Sequence, residues 1–171
     1  MSWKENLMIS FGNLMCVAVA IFVIVVLPFE IINAESHTVL EKNGNFKFIG
    51  LAFILFGIVG YLACFWSFIF DAKGAPLFDG MQKHLTVKGP YKYVRNPMYI
   101  SLYLTLLGEA IYFQSVHLLF YLLGWMVFFQ LRVVFSEEPY LSDAFGESCE
   151  SYRKSVRRWI PRLKASNIET N

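Results

Sequence analysis

Along this chain polar and apolar positions fall in blocks. Residues 6–29 hold no charged side chain over 24 consecutive positions, and residues 48–70 hold none over 23. About 20 mainly apolar residues cross a hydrocarbon core of roughly 30 Å as one helix, so these windows predict spans over about 7–29 and 48–70. A third apolar region, 96–131, is interrupted only by the charge of Glu109. It is too long for one span, and Gln114, Ser115 and His117 supply a polar break. The pattern predicts a hairpin of helices over about 97–113 and 116–135. From Leu141 the pattern changes to Leu141, Phe145, Cys149, Tyr152, Val156 and Trp159, at spacings of 4, 4, 3, 4 and 3. That is a helical stripe. Gly146 costs helix propensity within it, predicting a break into two helices, and Pro161 ends the run. The predicted fold is an all-α membrane protein with about four transmembrane helices, the last two a hairpin, followed by C-terminal cytoplasmic amphipathic helices.

Composition supports that reading and removes others. Hydrophobic residues make up 56% and charged residues 16%, against about 45–50% and about 25% in soluble domains. Phe contributes 17 of the 171 residues, mean hydropathy is +0.47 and net charge only +2. A disordered chain is excluded, as are a disulfide scaffold, with three Cys, and a water-soluble globule, which has no core large enough for this much apolar surface. One domain over 1–171 is expected. The first apolar stretch exceeds the 7–15 residues of a signal-peptide core, and no small-x-small site follows it; a retained span is expected. Neither the Cys nor the His residues stand at metal-ligand spacing, so no metal is expected.

Charge sets the orientation. Lys73, Lys83, Lys88, Lys92 and Arg95 lie between the second and third spans, and Arg153, Lys154, Arg157, Arg158, Arg162 and Lys164 follow the fourth. Basic loops stay in the cytoplasm. Four spans then place both termini there, with the loop carrying Glu30, Glu35 and Glu41 outside.

Candidate chemistry concentrates in 71–99 and 132–163. Neither a G-x-G-x-x-G turn nor a P-loop is present, and no nucleic-acid partner is expected. In Gly89-Pro90-Tyr91-Lys92-Tyr93-Val94-Arg95-Asn96-Pro97-Met98-Tyr99, Pro97 suits the first turn of a helix and Asn96 its N-cap. Three Tyr and an Arg there fit either an interfacial aromatic belt or a polar ligand at a helix N-terminus. Glu137 and Glu138 are adjacent carboxylates. They fit either a helix N-terminus before Pro139 or a site in which one faces the bundle and the other faces water. The basic residues beside the stripe fit a helix lying on the anionic inner leaflet.

Taken in order, Gly89-Pro90-Tyr91, Arg95-Asn96-Pro97-Met98-Tyr99, Glu137-Glu138-Pro139, Phe145-Gly146-Glu147, Tyr152 and Trp159-Ile160-Pro161 resemble the isoprenylcysteine carboxyl methyltransferase and phospholipid methyltransferase superfamily, in its short bacterial form. The resemblance covers roughly 70–163; the first two spans agree only as hydrophobic helices. It implies an integral-membrane enzyme of the bacterial inner membrane that uses S-adenosyl-L-methionine without a Rossmann domain, with the cofactor at the cytoplasmic end of the last spans. Carried over by position, His84, Leu85, Thr86 and Val87 are implied to run along the cofactor. Tyr91, Asn96, Pro97, Met98 and Tyr99 are implied to line its pocket, and Glu137 to hold its amino-acid or ribose groups. Arg95 and Glu138 are the candidate catalytic residues, the first for an anionic group of cofactor or substrate, the second as a base. Arg132 is the candidate substrate contact.

The chain also departs from the superfamily pattern. Asn96 stands where many members carry His, and an amide does not titrate, so a proton shuttle there is excluded. Ser148-Cys149 replaces a usual Glu-Tyr and Arg157 a usual Pro. Arg132 falls one position from the Arg of eukaryotic members, with Val133 in register. The partners expected are membrane lipids and a lipophilic or small methyl acceptor. Transfer to an isoprenylcysteine-like carboxylate, to a phospholipid amine or to a small thiol all fit the residues, and a non-catalytic membrane scaffold would need only the spans.

Overall fold

The computed structural model describes residues 3–34, 44–72 and 85–165. The described residues are helical, with no strand among them. Helix α1 (Trp3–Ile21) passes through a wider turn, Phe22–Val26, into α2 (Leu27–Ala34); α3 is Gly44–Ser67, α4 Pro97–Phe113, α5 Val116–Arg132 and α6 Glu138–Ser155. Three helical runs are long and apolar enough to cross a membrane: Leu7–Ala34, Phe46–Phe70 and Val116–Ser155. They fit an integral membrane protein. Large apolar side chains such as Phe11, Phe56, Trp66, Phe120 and Phe135 are exposed on them, the pattern of a bundle solvated by lipid rather than water.

The sequence pattern predicted four spans, and the third of these differs from the others. It forms α4, only 17 residues, or about 26 Å at 1.5 Å per residue. Ser101, Thr105 and Glu109 lie along it, and all three are buried. This is the central helix. Its hairpin with α5 forms where the polar break predicted it: Gln114 takes a left-handed conformation (φ 54°), and the Ser115 hydroxyl caps α5 by accepting from the Leu118 N–H at 3.3 Å.

Between membrane helices the hydrophobic effect supplies little, so close packing of small residues decides which surfaces meet. On α3, Gly50, Gly57 and Gly60 face Ser101, Thr105 and Gly108 of α4 at backbone distance. A Cβ on Gly57 would lie 2.7 Å from the Ser101 carbonyl oxygen, and one on Gly108 2.6 Å from the Ile54 amide. The two hydroxyls on this face bond back into their own helix, Ser101 to the Pro97 carbonyl at 2.8 Å and Thr105 to the Ser101 carbonyl at 3.0 Å.

Prolines explain two widened turns. At Phe22–Val26 the hydrogen bonds shift to the i−5 pattern, with the Leu27 N–H bonded to the Phe22 carbonyl. In that register the Val23 carbonyl would take the N–H of residue 28, but Pro28 has none. The Tyr121 hydroxyl of α5 donates to it instead, at 2.9 Å, and an orphan carbonyl in hydrocarbon is avoided. A second such turn, Val133–Glu137, precedes Pro139 and carries α5 straight into α6 without a gap. As expected, α6 bends at Gly146 (φ 49°).

Gly57→Ala should destabilise the detergent-purified protein by about 1–3 kcal/mol, the usual cost of overpacking. Gly124→Ala, with open space around it, should leave thermal unfolding unchanged or slightly improved.

Candidate active site

The segment before α4 is tied to the tail. Leu85 and Val87 are buried against Cys149, Tyr152 and Val156, so the amphipathic stripe of α6 packs on 85–87 rather than on a membrane surface. A short turn, Gly89–Lys92, follows. It carries Tyr91 into a cluster with Cys16, Cys64, Phe68 and Met98. Burial raises the Tyr91 phenol well above its ordinary pKa, so it stays neutral. Its carbonyl accepts from the Tyr152 hydroxyl at 2.7 Å. Asn96 precedes α4 but does not cap it with its side chain, which donates to the Arg158 carbonyl at 3.3 Å. His84 lies outside the described residues.

The adjacent carboxylates point to different partners. Glu137 accepts from the Tyr99 hydroxyl and from Arg132 Nε at 2.8 Å, both on Oε1. Glu138 takes Arg95 at 2.9 Å, Arg158 on both oxygens at 2.7 and 2.9 Å, and Arg153 at 3.2 Å. One Glu facing the bundle and the other water was one of two arrangements the sequence allowed. Instead both side chains are largely covered, 18% and 11% exposed. Successive residues on a helix point about 100° apart, and here both directions meet guanidinium groups. Four cations against two anions leave the region net positive. Hydrogen bonding to Glu138 raises the Arg158 pKa, whereas burial lowers that of Arg95 against the pull of the same carboxylate. Both remain charged.

Past α6 the chain crosses back over the start of α4 as a strap. Arg95 N–H bonds the Arg157 carbonyl and Arg162 N–H the Tyr93 carbonyl, each at 2.9 Å. Trp159 Nε1 donates to Gln130 Oε1 at 2.7 Å, and its ring lies 6.4 Å from Tyr99 and 5.9 Å from Tyr103. Tyr99 itself stacks on Phe129 at 4.2 Å, and Phe129 on Trp125 at 5.1 Å.

That aromatic stack is one wall of a cavity of about 190 Å³. Cys16, Val19, Ala20 and Val23 line it from α1 and the widened turn, Tyr61 from α3, Met98, Tyr99 and Leu102 from α4, and Trp125, Phe128, Phe129 and Arg132 from α5. The interior is apolar. Its polar end is Tyr99 and Arg132, the two groups that hold Glu137. The exposed Val19 and Phe128 leave it a side opening between α1 and α5.

The candidate residues thus divide into two connected groups. Met98, Tyr99 and Arg132 line the cavity, and Glu137 joins them through its bonds to Tyr99 and Arg132. Arg95, Glu138 and the Asn96 amide meet under the strap, with Leu85, Thr86 and Val87 buried in the segment before it, whereas Tyr91 packs beside the cavity residues Cys16 and Met98. Pro97 is buried at the start of α4. Thr86 Oγ1 and Arg95 Nε are buried polar atoms without a protein partner. Sequence reasoning gave Arg153 and Arg158 only a place on the inner leaflet, whereas they close the network on Glu138. The signal was available as a basic run, Arg153 to Arg158, in the tail that follows a carboxylate pair. Nor did it pick out Trp125, Phe129 or Val23, ordinary apolar residues until their helices pack.

The sequence pattern of the phospholipid methyltransferase family matches residues 46–148, which include the cavity's polar end and both carboxylates. The chain belongs to that family. A family-level match stops short of Arg153, Arg158 and Trp159, so the strap lies beyond it. Over 81 residues the chain is 40% identical to the protein named Protein-S-isoprenylcysteine O-methyltransferase of Schizosaccharomyces pombe, an overlap of 46% of this chain and 34% of that protein. The chain therefore matches about a third of that relative's length. No solved structure matches the chain.

Removing a partner from a largely buried ionic group leaves uncompensated charge, at about 3–5 kcal/mol. Glu138→Ala, which strands three guanidinium groups, should lower stability by about that amount in chemical unfolding. Arg153→Ala, at a side chain 40% exposed, should cost no more than about 1 kcal/mol.

Proposed function

We propose that this chain is an integral-membrane methyltransferase that takes S-adenosyl-L-methionine from the cytosol and a lipophilic or small acceptor from the bilayer. The observation that carries the reading is the apolar, side-opening cavity ending on the Tyr99–Glu137–Arg132 set. In this reading α4 is a short fourth crossing, central and shielded by its neighbours, and both termini lie on the cytoplasmic side, in the inner membrane of a bacterium. The basic residues at 88–95 and 153–164 support that side.

The residues fit the cofactor. Glu137 offers a carboxylate for its ammonium or ribose hydroxyls, and the orphan Thr86 Oγ1 and Arg95 Nε are polar atoms a ligand would satisfy. Tyr99 and Met98 line the meeting point. When bound, S-adenosyl-L-methionine supplies an electrophilic methyl group on a sulfonium. The chain's own contribution is alignment and exclusion of water, the main resource for an in-line displacement. Stacking on Phe129 and the bond to Glu137 fix the Tyr99 ring, whose face suits a cation. Arg132 is placed for a carboxylate or other anionic group of the acceptor. Both Glu138 oxygens are engaged by arginines, which supports a role in closing the strap over Arg95 in place of proton abstraction. An acceptor already anionic needs no base.

Calorimetry of the protein in nanodiscs with S-adenosyl-L-methionine or its demethylated product should give saturable heat. Glu137→Gln and Tyr99→Phe should each weaken it roughly 10- to 100-fold, the loss of one charge-assisted hydrogen bond, while the variants still insert. Tritiated donor with native membrane extract then identifies the product: volatile base-labile label for an ester, stable lipid-soluble label for an amine. Absence of heat with the wild-type protein overturns the reading.

A further inference from the structure

The floor of the cavity is fixed, and its position limits what can enter. Seven residues of α5 separate Arg132 at the polar end from Trp125 at the other, a depth of about 10 Å. Val23, 3% exposed, closes the α1 side because the widened turn aims it inward. The Tyr121 hydroxyl clamps its carbonyl. Trp125 stands against Tyr121 edge-on at 6.1 Å and stacks on Phe129, contacts that hold its ring across the end of the cavity. Leu102, also buried, completes the floor from α4.

Resting on the methyltransferase reading above, we infer that Val23, Leu102 and Trp125 are the specificity-determining residues, restricting the acceptor to an amphiphile whose apolar part is short. A cavity of about 150 Å³ admits benzene, and this one is about 190 Å³. An apolar group of about six to eight carbons fills it, whereas an isoprenyl chain of about 15 carbons overfills it, at the cost that overpacked interiors carry. The acceptor's reacting end then lies beside Tyr99 and Arg132, the polar end of the cavity. The acceptor of this chain is accordingly smaller than the isoprenylcysteine for which its Schizosaccharomyces pombe relative is named.

The test uses the full chain in nanodiscs with tritiated S-adenosyl-L-methionine and two acceptor series, n-alkyl thiols and n-alkyl carboxylates, from ethyl to hexadecyl. Transfer should peak near hexyl and fall at least tenfold by dodecyl. Trp125→Ala and Val23→Ala should recover most of the dodecyl rate, while Ala20→Leu, which fills the cavity from α1, should shift the peak below hexyl. Equal rates for hexyl and hexadecyl acceptors in the wild type would overturn the inference, since the chain would then leave sideways past Val19 and Phe128. A second arm reads the cavity without catalysis, because Cys16 lines it. At high pH, where a buried thiol ionises, methyl methanethiosulfonate should modify Cys16, identified by peptide mass. The dodecyl reagent should fail until Trp125 is replaced by Ala, and equal modification by both reagents overturns the size limit. If neither series is methylated yet Cys16 shows this length dependence, the size limit stands and the acceptor is neither a thiol nor a carboxylate; absence of heat with S-adenosyl-L-methionine is the separate result that overturns the methyltransferase reading.

Discussion

The backbone-close contact between α3 and α4 is the constraint on which the rest of the molecule depends. In a bilayer, apolar side chains gain nothing by turning from lipid to each other, so a helix is located by where backbones can approach. Gly50, Gly57 and Gly108 allow that approach. It fixes α4, a 17-residue helix that buries the polar side chains of Ser101, Thr105 and Glu109. Everything chemical hangs from the end of that helix: Arg95 and Asn96 just before it, Tyr99 one turn in, and the strap that crosses it.

From that fixed end the two carboxylates divide the work of assembly. Glu137 joins α4 to the end of α5 through Tyr99 and Arg132, and so defines the cavity's polar end. Glu138, one residue on, gathers Arg95, Arg153 and Arg158, and so joins the loop before α4 to the tail. The widened turn at Val133–Glu137 passes the helix into Pro139 without a break, which keeps both side chains on one rigid element. A similar turn before Pro28 sets the cavity floor, with Tyr121 satisfying the carbonyl the proline leaves over. Two prolines in long apolar helices thus shape opposite ends of one cavity.

How much of this was legible in the sequence follows from the range of each signal. The long charge-free windows and the Gln114–Ser115 break report on single elements, and the structure reproduces them closely. Gly146 likewise marked the bend in α6. The stripe from Leu141 to Val156 was legible as an apolar helical face and read as lying on the membrane; its true partner was not legible, because 85–87 reaches it only through the tertiary fold. The same limit applied to the site. Tyr99, Glu137, Arg95 and Glu138 stood out by residue type and order, whereas the pairing of Arg158 with Glu138 spans 20 positions and depends on the strap. Val23 and Trp125 carry no chemical mark. Helix packing and a proline five residues further on make one of them a floor, and ring stacking fixes the other.

The central claim is that the end of α4, the α5–α6 turn and the strap together hold the methyl donor against the cavity. Ultraviolet cross-linking of tritiated S-adenosyl-L-methionine to the membrane-embedded protein, followed by peptide mapping, tests it most directly. The account predicts label on peptides carrying Thr86 to Tyr99 or Arg132 to Trp159, suppressed by excess demethylated product. Label confined to α1 or α3, or label that the product does not displace, would contradict it.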